Sequence, residues 1–137
     1  MAITHTATNI VWVAVATKSI AAAGNATSDA FAFDATCIEA SLCLKCDNDG
    51  TPASGDTVTY YILYTNGDTD AAGGTDEYDT TNAAVPVAVL DTNSADPQQL
   101  TIPLPITAAK GLKLYAVNNS AGRAITISAL LMEKRSA

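Results

Sequence analysis

By type and spacing, three kinds of side chain in this sequence could do chemistry: carboxylates, cysteines and a lone histidine. The carboxylates gather in residues 66–84, where Asp68, Asp70, Asp76, Glu77 and Asp79 stand among Gly67, Gly73 and Gly74, with Asp56 upstream. Such a set could supply the oxygen ligands that calcium takes. A charge cluster in a polar stretch is more often a solvated loop, and that is the reading adopted. A loop this long is usually functional or flexible. Asp47-Asn48-Asp49-Gly50 also opens like a calcium loop, but Pro52 stands where the loop needs Gly and Val58 where it needs Glu. It reads as a solvated turn. Nothing places two carboxylates across a cleft, as glycoside hydrolysis needs.

Cys43-x-x-Cys46 has a metal-like spacing, but a structural zinc site needs four ligands, and the sequence adds only Cys37 and His5. In an extended chain Cys43 and Cys46 point to opposite faces, while Cys37 and Cys43 share a face too far apart to bridge. Free thiols and a reducing compartment are expected. No nucleophile elbow, phosphate loop or metal cluster is present. The expectation is therefore no catalytic, cofactor-binding or metal-binding residues, no cofactor, and no enzyme. Asn25-Ala26-Thr27 and Asn118-Asn119-Ser120 fit the glycosylation sequon, a short pattern that is discounted here.

The elements that must position these groups read as strands. Residues 36–46 alternate cleanly, with Ile38, Ala40, Leu42, Leu44 and Cys46 on one face. Thr57–Thr65 alternates Val58, Tyr60, Ile62 and Tyr64 against Thr59, Tyr61 and Leu63. Residues 112–118 and 123–132 read as two strands joined at Asn119–Gly122, an antiparallel hairpin; the β-branched Ile125, Thr126 and Ile127 argue against a helix. Residues 10–17 are apolar on both faces and predict a central or covered first strand, with Trp12 packed in it. Phe31 and Phe33 share a face and start a second strand region. Residues 85–90 predict a short strand interrupted at Pro86. Residues 100–106, with Pro103 and Pro105, predict an edge strand, because proline cannot donate to a ladder. Residues 1–9 predict a flexible arm, and 10–137 a single domain. The sum is an all-β, antiparallel β-sandwich of about seven or eight strands, best fitted by a jelly roll, with a barrel as the alternative.

Bulk properties bound the partners. The chain has 137 residues, 48% of them hydrophobic and 15% charged, enough for one domain with a real core. Its net charge of −7 would repel nucleic acid and an anionic membrane surface. No segment is long and apolar enough to span a bilayer. Residues 1–9 lack Lys and Arg, and Lys18 interrupts the apolar run after them, so a secretory signal is not expected.

Several stretches carry a resemblance. They are Ala16-Thr17-Lys18-Ser19-Ile20-Ala21-Ala22-Ala23-Gly24, Gly55-Asp56-Thr57-Val58-Thr59-Tyr60-Tyr61-Ile62-Leu63-Tyr64, Asp76-Glu77-Tyr78-Asp79-Thr80, Val89-Leu90-Asp91-Thr92 and Leu114-Tyr115-Ala116-Val117-Asn118-Asn119. In their order along most of the chain they resemble the small jelly-roll structural proteins of tailed bacteriophages, including capsid decoration (cement) proteins. The resemblance implies a virion protein on the capsid exterior, made in the bacterial host cytoplasm. It would be a homotrimer clamped over junctions between major capsid protein subunits, and no catalytic residue carries over. The competing expectation is a glycan- or receptor-binding sandwich of a fibre, neck or tail, using Trp12, Tyr61, Tyr78 and Tyr115 or residues 66–84.

Overall fold

A computed structural model describes residues 2–65, 85–92, 98–106 and 111–136. Nine strands lie among them: β1 (Ile3–Asn9), β2 (Thr17–Ile20), β3 (Asn25–Thr27), β4 (Cys37–Asn48), β5 (Thr57–Thr65), β6 (Val85–Asp91), β7 (Gln98–Leu104), β8 (Gly111–Asn118) and β9 (Ile125–Ser136). One sheet runs β1-β9-β4-β7, with β2 also on β9; the other runs β3-β8-β5-β6. All pairings are antiparallel. From β2 onward the chain passes back and forth between the sheets, except from β5 to β6, which pair within the second sheet; this is the jelly-roll path. The strand count exceeds the expected seven or eight because β1 and β2 share one edge position. β1 covers Leu130–Ser136 of β9, and β2 covers Ile125–Ser128.

The core lies between the sheets and follows the alternation of the sequence. Leu42, Leu44 and Cys46 of β4 and Ile125, Ile127, Ala129 and Leu131 of β9 face Val58, Tyr60 and Ile62 of β5 and Leu112, Leu114 and Ala116 of β8. Each large aliphatic side chain fully buried there contributes about 1.5–3 kcal/mol. Tyr60 is buried to the end of its ring, and its hydroxyl donates to the Lys45 carbonyl on the opposite sheet. That bond satisfies the polar tip of an otherwise apolar payload.

Five expectations need correction. Residues 1–9 are not a free arm: Ile3–Asn9 is β1, with every residue in register on β9. Residues 10–17 are not a strand, because the chain turns after Ile10 and the next strand begins at Thr17. The segments at 112–118 and 123–132 are strands but not a hairpin: β8 and β9 lie in different sheets, so the link between them crosses the sandwich. Periodicity reports which face is buried, and it reports the same for a hairpin as for two strands facing each other across a core. Phe31 makes a single bridge to Leu112 rather than opening a strand, and it packs with Phe33 against the core. Pro86 does not break β6. It sits at an irregularity in the β5–β6 register, on an edge where a missing donor costs little. β7 is an edge strand, as its Pro103 requires.

Candidate functional site

The turn that replaces the expected first strand is the most unusual local structure in the molecule. Ile10 still donates its N–H to Ala129 of β9 at 2.9 Å, and it is buried. The chain then folds over Trp12. The Trp12 N–H donates to the Val15 carbonyl at 2.7 Å, and Asp29 donates to the Val11 carbonyl at 2.8 Å. Trp12 is 0% exposed and belongs to the core between the sheets, with its indole N–H buried and without an acceptor. Burial of an unpaired donor is costly, and here the large buried ring offsets it.

Trp12 points inward, and its neighbours point out. Val11, Val13 and Val15 are 37%, 69% and 44% exposed. Val13 has φ of 53° and Ala14 of 67°. A β-branched residue in the left-handed region is an outlier that costs of order 1–3 kcal/mol, persists only where the surroundings over-determine it, and is concentrated at functional sites. The result is a fixed apolar knob, tied down at Ile10, Trp12 and Asp29. A cavity of about 370 Å³ lies beside it, lined by Val11, Asp29, Phe31, Glu133 and Arg135 among others. The sequence contains the pattern Val-Trp-Val-Ala-Val but no local sign of positive φ, because neither valine nor alanine is a turn former.

Glu133 is the charged centre of that end. It is buried beside Arg135, whose guanidinium donates to Oε1, and Oε2 accepts the Asp34 N–H at 2.8 Å. Burial alone would raise its carboxyl; Arg135, the Asp34 N–H and Cys37 outweigh burial and hold it below the ordinary glutamate range. Asp34 is held low mainly by the Thr36 hydroxyl, which donates to it at 2.6 Å.

The opposite end is a closed polar clasp. Asp56 accepts from Asn48 Nδ2 and the Ala53 N–H, each at 3.0 Å, and its carboxyl is held low by the Ser120 hydroxyl above all. Asp49, from the stretch that opens like a calcium loop, accepts from Ser19 at 3.0 Å and Thr126 at 2.7 Å. Those carboxylates are engaged within the chain. Among the described residues no group of three or more His, Cys, Asp or Glu side chains is placed to hold a metal ion. The five acidic residues of 66–84 and Tyr78 lie outside the described residues.

The remaining candidates are placed separately. Cys37, Cys43 and Cys46 are free thiols, with Cys46 buried and Cys43 half-buried on the other face of β4. Burial pushes the Cys46 thiol up to about 12. His5 stands on β1 opposite Lys134. Asn25 is exposed, whereas Asn118 is buried and its amide is fully engaged. Tyr61 and Tyr115 are directly opposed on β5 and β8, with ring centroids 5.7 Å apart and planes at 38°, half-buried on the outer face of the second sheet. Of the four aromatics expected on a ligand face, the structure therefore pairs two and buries Trp12.

No protein-family model matches the chain, and no curated protein does. Solved structures match its fold. A xylanase 10B from Clostridium thermocellum with CBM22-1 and GH10 modules, complexed with xylohexaose, superposes with a TM-score of 0.57 at 14% identity. The match covers 88% of this chain and 25% of that one, so the chain spans about a quarter of the xylanase. Dimeric latent PorU from Porphyromonas gingivalis gives 0.50 at 10% identity, over 98% of this chain and 13% of that one. A chain of infectious bursal disease virus, Gx strain, gives 0.49 at 15%, over 97% and 32%. At such identities the likeness is one of fold, a β-sandwich that serves many functions.

Proposed function

We propose that this chain is a non-catalytic virion structural protein, a capsid decoration (cement) protein that docks on the outside of a bacteriophage head and bridges major capsid protein subunits. The observation that supports the reading is the valine knob. Aliphatic side chains held outward by a strained, anchored turn suit insertion into an apolar pocket of another protein, and the ordering cost is already met before binding. Binding to the assembled shell and not to free subunits would stabilise the shell by linkage. The acidic surface suits a shell exterior, away from packaged DNA.

A second reading, a glycan-binding module, is favoured by the Tyr61–Tyr115 pair, whose ring faces offer a stacking surface. It gains interest because the xylanase that shares the fold was solved with xylohexaose. One experiment separates the two: co-sedimentation of the purified chain with capsid shells that lack it, alongside retention on immobilised xylan. The decoration reading expects saturable shell binding, weakened at least tenfold by Val13→Asp and unchanged by Tyr61→Ala. No binding to shells, with retention on xylan that Tyr61→Ala abolishes, would replace it with the second reading.

A further inference from the structure

β1 is exposed on both faces. Apart from half-buried Thr6, every residue of Ile3–Asn9 is open to solvent. The strand therefore buries little within its own chain and is held by its ladder to β9. No described strand pairs its other side. A bare row of N–H and C=O groups is a template for another strand, and folded proteins normally protect such edges.

Each of the other described edges is protected. β7, at the far side of the same sheet, carries Pro103. β6 carries Pro86 and a register irregularity, β3 has three residues and β2 four. β1 has seven residues, no proline, no lysine, no carboxylate and an unbroken register. The unprotected edge is also the longest edge without proline.

We infer that β1 pairs antiparallel with β1 of a second copy of this chain about a two-fold axis at Thr6, joining the two first sheets into one. The register follows from the strand itself. Every second residue of an edge strand presents its N–H and C=O outward, so two copies match only where paired residue numbers have an even sum. The sum of twelve uses the whole strand: Ile3 opposes Asn9, Thr4 opposes Thr8, His5 opposes Ala7, and Thr6 opposes itself. No position brings two charges of one sign into direct opposition, although the chain carries a net −7. A heterologous pairing of β1 with β7 would meet the donor missing at Pro103. The two-fold contact is isologous and closes at the dimer. It does not depend on the capsid reading, and it takes the place of the threefold clamp that the resemblance implies.

The test is mass by light scattering over a concentration series. The wild-type chain should approach twice 14.0 kDa. His5→Glu with Ala7→Glu opposes two carboxylates twice across the axis and should raise the dissociation constant at least tenfold. His5→Glu with Ala7→Lys opposes Glu to Lys twice and should restore the dimer. Both positions are exposed, and a thermal melt of each variant checks that it folds. A wild-type monomer at every concentration, a trimer, or the same mass for both double variants would overturn the pairing.

Discussion

Asn118 shows how much one residue can hold. Its Nδ2 lies 3.0, 3.1 and 2.8 Å from the carbonyls of Ile20, Ala21 and Arg123, and its Oδ1 accepts the Ser120 N–H at 2.8 Å. One buried amide thus ties the end of β8 to the end of β2 and to the start of β9. Asn118→Ala would strand those backbone groups at a cost of about 3 kcal/mol, read as a lower denaturant midpoint with an unchanged slope. In the sequence the residue reads as the end of a strand and the start of a sequon, because nothing local reports that two of its partners, Ile20 and Ala21, lie far back in the chain. Glu133 makes a related point through pH. Its folded carboxyl titrates below the ordinary value of 4.5, so its contribution is present above that value and is lost as pH falls through the folded one. Stability of the wild type should therefore fall more steeply below pH 4.5 than that of Glu133→Gln, as measured by urea melts at stepped pH.

At the scale of elements, the half-buried strands were legible and the exposed or doubly apolar segments were not. Thr57–Thr65 was readable end to end, because β5 has one core face and its alternation encodes it. β1 lacks that signal: a strand bonded to one neighbour and buried on neither face leaves no periodicity. The turn after it misleads in the opposite way, since an anchor flanked by outward valines alternates just as a strand does. Its strain is a property of the segment. Val13→Gly relieves the left-handed backbone and should raise stability by about 1 kcal/mol, even as Gly loosens the turn and removes the knob's most exposed side chain. A thermal melt showing no gain or a loss would mean that the valine side chain itself packs to advantage in the isolated chain.

At the scale of the molecule, the sandwich was legible because its two inner faces are written in the sequence as period-two patterns. The path between the sheets was not, since the same pattern serves a hairpin and a crossover. The candidate sites divide along the same line. Tyr61 and Tyr115 sit on regular strands and could be placed from alternation, whereas the knob depends on positive φ at non-glycine residues and could not. The whole fold also has a temporal side. β9 is the central strand of the first sheet, holding β1, β2 and β4, yet it is the last of them in chain order. On the ribosome β1 and β2 emerge without the strand they need and wait for it on the order of seconds. Of that sheet only the β4–β7 ladder can form before β9 emerges, and closure of the sheet around β9 is a late event built from long-range pairings. A chain stalled before β9 would leave β1, β2 and one side of β4 unpaired, a natural substrate for chaperone capture.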